Sequence, residues 1–246
     1  MEISVKLGTA RTLRTACVVV AVFSGKRLSP TAQTIDKASR GLLSRVIKRG
    51  DINGNEGEAL MLPDVPGVTA ERVLLVGAGR QEGIGPRDFL KVLAAAGRAL
   101  ADAGIRSAAS ALAEVRVRER DLAWKARQTV VALEATSYRF EQLKTKPSRK
   151  PSLGRLDILC ERNEVAAAEA GIRLGKGIAG GIRLTRDLAN LPGNHCTPSH
   201  LADTARGLAR EFPVLKVTVL QEAEMRKLGM GAVSYTHLTL PTKRIV

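Results

Sequence analysis

Residues 16–23 read Ala-Cys-Val-Val-Val-Ala-Val-Phe, an apolar run with no polar interruption. A strand facing solvent on one side would alternate, so this one is expected to lie in the middle of a sheet covered on both faces. The segment before it does alternate, with Ile3, Val5 and Leu7 separated by polar residues, and reads as a half-buried strand. Covering a sheet on both faces takes helices. Ser29 and Pro30 form an N-cap and first-turn pair. Behind them Ile35, Ala38, Leu42, Leu43, Val46 and Ile47 share one helical face up to Gly50, so a single helix is expected there.

The same alternation of periods continues. Strands are expected over 58–62, 72–76, 107–115 and 156–160, and helices over 86–103 and 120–140, the latter packing through Leu122, Trp124, Ala126, Val130 and Leu133. Strands interleaved with helices specify an α/β fold with a mixed sheet and flanking helices. After Asn163 the texture changes to a long helical pattern, 164–189, carrying Gly171, Gly175, Gly177, Gly180 and Gly181, which are costly in a helix unless they permit close packing. A helix from Thr197-Pro198 to Glu211, an alternating strand over 214–220 and a further helix from Gln221 to Lys227 follow. The expected organisation is one domain over 1–163 and the start of a second over 164–233.

Composition narrows the class. The chain has 246 residues, 44% hydrophobic but only 3% aromatic, so its core is expected to be aliphatic. No apolar run approaches the roughly 20 residues of a membrane helix, and no secretory signal pattern opens the chain, so a cytoplasmic protein with no membrane partner is expected. Cys17, Cys160 and Cys196 are far apart and read as reduced thiols. The net charge of +15 points toward phosphates. Its densest run, Lys144, Lys146, Arg149, Lys150 and Arg155, contains no acidic residue and is the candidate nucleic-acid contact; the alternative is a solvated linker.

Three motifs invite chemistry and fail on spacing. Gly77 and Gly79 follow a strand, but Glu82 stands where a dinucleotide fingerprint needs its third glycine, so a tight turn is expected instead. Gly171, Gly175 and Lys176 lack both the spacing of a phosphate loop and the Ser or Thr after the lysine. His195, Cys196 and His200 are zinc-ligand types without a fourth partner, and Thr197-Pro198 between them reads as a helix start.

A longer string is more specific. Residues 186–194, Arg-Asp-Leu-Ala-Asn-Leu-Pro-Gly-Asn, followed by Cys196-Thr197-Pro198, Leu201-Ala202 and Ala205, resemble the entry to the catalytic domain of the leucyl aminopeptidases. Val217 to Leu220, Met225, Leu228 and residues 229–232, Gly-Met-Gly-Ala, are similar to the next strand and helix of that family. Upstream, Val73 to Gly79, residues 124–127 (Trp-Lys-Ala-Arg) and residues 138–140 (Tyr-Arg-Phe) resemble its amino-terminal domain.

The resemblance covers residues 1 to about 233. It implies a macrodomain-like amino-terminal domain with a mixed sheet and flanking helices, a linking helix, and the truncated start of an α/β aminopeptidase domain. It further implies a cytosolic metallopeptidase that releases amino-terminal residues, leucine favoured, from peptides with two divalent ions, manganese or zinc, and that assembles as a hexamer. The family's metal and catalytic residues lie later than Ala232, so none is assigned here and no bound metal is expected. From Ser234 the chain departs from the family pattern, and residues 234–246 are expected to be a non-native tail. A regulatory role in transcription or recombination through DNA binding by the amino-terminal domain is the alternative function. A macrodomain-like unit also raises a nucleotide or ADP-ribose ligand, which no correctly spaced phosphate loop supports.

Overall fold

The computed structural model of the protein describes residues 1–8, 10–146 and 153–230. The chain divides into two compact units, Met1–Arg183 and Leu184–Val246. In the first, seven strands among the described residues form one sheet: β1 (Glu2–Lys6), β2 (Cys17–Phe23), β3 (Arg27–Leu28), β4 (Ala59–Pro63), β5 (Arg72–Gly77), β6 (Ser107–Ser110) and β7 (Arg155–Leu159). The order is β1-β7-β6-β2-β5-β4, with β3 folded back beside β2. The pairs from β1 to β5 along this order are parallel, while β4 and β3 run antiparallel to their neighbours, so the sheet is mixed as expected.

The apolar run is the centre of the sheet, and its two registers feed two cores. Val18, Val20 and Val22 face Ile35 of α1 (Pro30–Ala38) and Leu43, Val46 and Ile47 of α2 (Leu42–Arg49). Cys17, Val19, Ala21 and Phe23 face the opposite layer. That layer comprises α3 (Pro86–Asp102), α4 (Leu122–Ser137) and the first turns of α5 (Val165–Asn190), through Phe89, Val92, Leu93, Val130, Leu133, Ala168 and Ile172. Every residue of β2 is buried. At roughly 1.5–3 kcal/mol for each fully buried large aliphatic, this strand alone justifies helices on both sides.

Two expectations about this unit are corrected. The single helix over 30–50 is two. Ser39 caps α1, then Arg40 and Gly41 turn left-handed with φ of 55° and 79°, and α2 restarts with Asp36 accepting from the Ser44 amide at 2.9 Å. The apolar face survives because both helices pack on the same side of the sheet. The strand expected over 107–115 ends at Ser110, where the chain winds into a 3-10 turn, Leu112–Glu114, that buries Leu112 and Val115 without a ladder. Ala168, Ile172 and Ala179 of α5 belong to the core of this unit.

The second unit, described from Leu184 to Met230, holds α6 (Pro198–Glu211) and α7 (Glu222–Lys227). The strand expected over 214–220 does not form. No described segment pairs with it, and Val214 is 86% exposed. Alternation alone does not hold an extended chain that lacks a neighbour to hydrogen-bond. No helix among the described residues is long and apolar enough to cross a membrane.

Candidate functional site

Strand order decides where a cleft opens in such a sheet. From β2 the chain passes through α1 and α2 toward β4 and β5, whereas from β6 it passes through α4 toward β7. The connections leaving the adjacent strands β2 and β6 therefore run to opposite sides of the sheet, and open α/β sheets bind ligands beside the carboxyl ends of such strands. A cleft of about 500 Å³ lies beside this point, lined among others by Pro30, Thr31, Glu114, Lys125, Cys160 and Glu164.

Each group is placed by its element. Thr31 opens α1, and its amide donates to Glu114 Oε2 at 3.1 Å while its hydroxyl donates to Oε1. Lys125 projects from α4, and its Nζ donates to the carbonyls of Ala113 and Val115, the latter at 3.3 Å. Burial pulls the Lys125 ammonium below the usual lysine range, against the opposing pull of Glu164, Asp121 and Glu114. Cys160 ends the β7 edge of the cleft, and desolvation, reinforced by Glu164 and Glu169, pushes its thiol up. Glu164 closes a capping box with Glu161, accepting from the Glu161 amide at 3.0 Å.

This arrangement disfavours an anionic ligand. The amino end of α1, where a phosphate would meet free amides, already holds the Glu114 carboxylate. Glu161 and Glu164 add negative charge to the same walls. A nucleotide would have to displace Glu114 and face the other two carboxylates with Lys125 as its main cation. Sequence reasoning missed Glu114 and Lys125, because a single acid after a short strand and a lysine inside a helix carry no motif.

Three residues of the sequence-predicted basic run are described. Lys144 and Lys146 are exposed beyond α4. Arg155 instead begins β7, where its Nε donates to Asp157 Oδ1 at 3.1 Å. Asp157, 8% exposed, also accepts from the Ser4 hydroxyl at 2.7 Å and faces Lys6 Nζ at 3.7 Å. Arg149 and Lys150 lie outside the described residues, as does the segment from Ser234.

The glycine motifs prove to be packing devices. A Cβ on Gly77 would come within 2.0 Å of the Asn55 carbonyl oxygen, and Gly79 has φ of +69°, so this pair seats the Gly54–Glu56 loop. Gly171 and Gly175 bring α5 against the backbone of α4. Thr197 caps α6 by accepting from the His200 amide at 3.2 Å. Among the described residues no group of three or more His, Cys, Asp or Glu side chains could hold a metal ion.

Residues 19–147 match the profile of the cytosol aminopeptidase family, N-terminal domain, and residues 183–236 match the catalytic domain of the same family. A probable cytosol aminopeptidase of Nitrosococcus oceani is 44% identical over 234 residues, covering 94% of this chain and 47% of its own length. That of Alkalilimnicola ehrlichii is 41% identical over 238 residues, with 94% and 47% covered. The chain thus spans about half the length of the curated relatives it matches. Among solved structures, a mutant of tomato leucine aminopeptidase aligns over 95% of this chain and 47% of its own, with a TM-score of 0.76 at 22% identity. A bottromycin maturation enzyme in complex with Mn aligns over 89% and 41%, with a TM-score of 0.65 at 22% identity. At such identity the likeness speaks for the fold alone.

Proposed function

The chain belongs to the cytosol aminopeptidase family, and from that premise we propose that it serves as the amino-terminal half of a metal-dependent aminopeptidase releasing amino-terminal residues, leucine favoured, from peptides. The observation that carries this reading is the order of the two matches: the N-terminal domain over 19–147, then the opening of the catalytic domain over 183–236, in one chain. In this reading residues 1–163 form the macrodomain-like domain and 164–233 the linking helix and the catalytic entry, with residues 234–246 a non-native tail. The protein acts in the cytoplasm as a homo-oligomer, a hexamer.

Two divalent ions, manganese or zinc, would supply Lewis-acid polarisation of the scissile carbonyl and an activated water. The described residues do not fit them, since no suitable ligand group is present among these residues, and no step of hydrolysis is assigned to this chain's side chains. The role left to the first unit is architectural, and the carboxylate-filled cleft beside β2 and β6 agrees with it. Nucleic-acid contact through Lys144, Lys146, Arg149, Lys150 and Arg155 is the second reading, narrowed by the ion pair that occupies Arg155.

Purified chain supplied with manganese or zinc is expected to leave leucine p-nitroanilide intact. Turnover that scales with protein and disappears with a chelator would mean that metal ligands lie within this sequence after all.

A further inference from the structure

We infer that the pocket between α4 and α5 binds a free apolar α-amino acid as its zwitterion. The pocket, about 440 Å³, opens where the chain enters α4 and is walled on its far side by α5. Its apolar surface comes from Ala123 and Trp124 of α4 and from Ala170 and Leu174 of α5. Leu174 is 53% exposed, so much of a large aliphatic side chain is left uncovered there. Trp124 is held in place before any ligand arrives: its ring centroid lies 6.0 Å from that of Phe89 in the core, and the Arg120 guanidinium stacks on it at 5.6 Å.

The four charged residues of the lining divide into two that are engaged and two that are not. Arg120 stacks on Trp124 and donates to the Glu119 carbonyl at 3.2 Å. Asp121 accepts from the Trp124 amide at 2.8 Å and so caps α4. Glu119 and Arg127 remain, and among the described residues neither side chain has an oppositely charged group within 4.0 Å. One uncommitted charge of each sign beside an apolar wall selects the ligand. A phosphate-bearing ligand would meet both carboxylates, and the cap at the start of α4 is already filled by Asp121. A purely cationic ligand would meet two guanidiniums. An uncharged apolar ligand would cover the half-buried Arg127 without giving it a partner. An α-amino acid offers its carboxylate to Arg127, its ammonium to Glu119 and its side chain to Trp124 and Leu174. This inference uses the pocket alone and stands independently of the peptidase reading.

Trp124 is the chain's single tryptophan, so its emission reports on this pocket directly. The test is titration of the full chain with L-leucine, followed by tryptophan emission and by calorimetry, and a saturable change is expected in both. Leucinamide, which lacks the carboxylate, and isocaproate, which lacks the ammonium, should each bind about tenfold more weakly or worse, because each leaves one charged side chain unpaired. Glycine, which keeps both charges and loses the side chain, should also bind about tenfold more weakly or worse. Arg127→Gln should weaken leucine by a similar factor and leave leucinamide unchanged, since leucinamide has no carboxylate to lose. Should Arg127→Gln lose its circular dichroism signal, the comparison of leucine with its two analogues on the parent chain decides the matter. Absence of saturable binding of leucine would overturn the proposal. So would equal affinity for leucine, leucinamide and isocaproate, or parental leucine affinity in a folded Arg127→Gln variant.

Discussion

Gly171 of α5 lies directly against Ala123 of α4: a Cβ at Gly171 would stand 2.2 Å from the Ala123 carbonyl oxygen and 3.0 Å from its Cα. Gly175, one turn on, meets Val130 and the Arg127 carbonyl in the same way. Gly177, on the far side of the helix, would meet nothing within 4 Å. Close approach therefore explains the first two glycines, while the third carries only the helix penalty of about 1 kcal/mol.

The two kinds of glycine should respond oppositely to alanine. Gly171→Ala must push two helices apart and should destabilise by about 1–3 kcal/mol. Gly177→Ala should stabilise by up to about 1 kcal/mol. Thermal unfolding of the two variants checks this, and shifts of the same sign would show that α5 does not pack on α4 through its glycines.

Much of this was legible in the sequence, and what was not has a physical reason. The unbroken apolar run placed β2 in the sheet centre because burial on both faces is a local property of composition. The failed dinucleotide spacing at Gly77 and Gly79 correctly pointed to a turn. The split between α1 and α2 was hidden because the apolar period runs through Arg40 and Gly41 while the backbone does not. The strand expected over 214–220 failed for the opposite reason: its alternation was real, but a strand is decided by a neighbour that the local sequence does not contain. The candidate cleft had no signature at all, since Thr31, Glu114, Lys125 and Glu164 come from four separate elements.

Cys17 gives the unit a pH signature. Burial pushes its thiol from 9.0 up to about 12, outweighing the amide of Leu74 and the charge of Arg72. Between these values the unfolded chain has released the proton and the folded chain retains it, so the unfolded state binds fewer protons and stability falls as pH rises. The fall should approach about 1.4 kcal/mol per pH unit. Chemical denaturation of the parent and of Cys17→Ala between pH 8.5 and roughly 10.5 isolates this slope. Equal slopes in the two proteins would show that Cys17 is not buried as described.

Glu114 should contribute, after Glu164 and Asp121, to the charge state of Lys125. Its carboxylate favours the Lys125 ammonium, which burial already disfavours. Glu114→Ala should therefore lower the Lys125 titration further, followed by NMR of labelled lysine, and should weaken the start of α1 by about 0.5–2 kcal/mol through loss of the acceptor for the Thr31 amide. An unchanged or raised Lys125 titration would mean that the two side chains do not share the cleft.

The extent of the first unit makes a further prediction. A fragment ending at Arg183 keeps Ala168, Ile172 and Ala179 in the core, and one ending at Asn163 exposes what they cover. Both should fold around β2, but the shorter should be less stable and more readily cut by trypsin within α4. Equal protease resistance would favour a domain boundary at Asn163.

The central claim is that this chain is the amino-terminal half of an aminopeptidase, and a fusion tests it most directly. Residues 1–229 joined to the remaining carboxyl-terminal portion of the Nitrosococcus oceani relative should hydrolyse leucine p-nitroanilide only in the presence of a divalent cation, and lose that activity to a chelator. A folded fusion that binds the metal yet releases no p-nitroaniline, beside an active parent relative, would contradict the account.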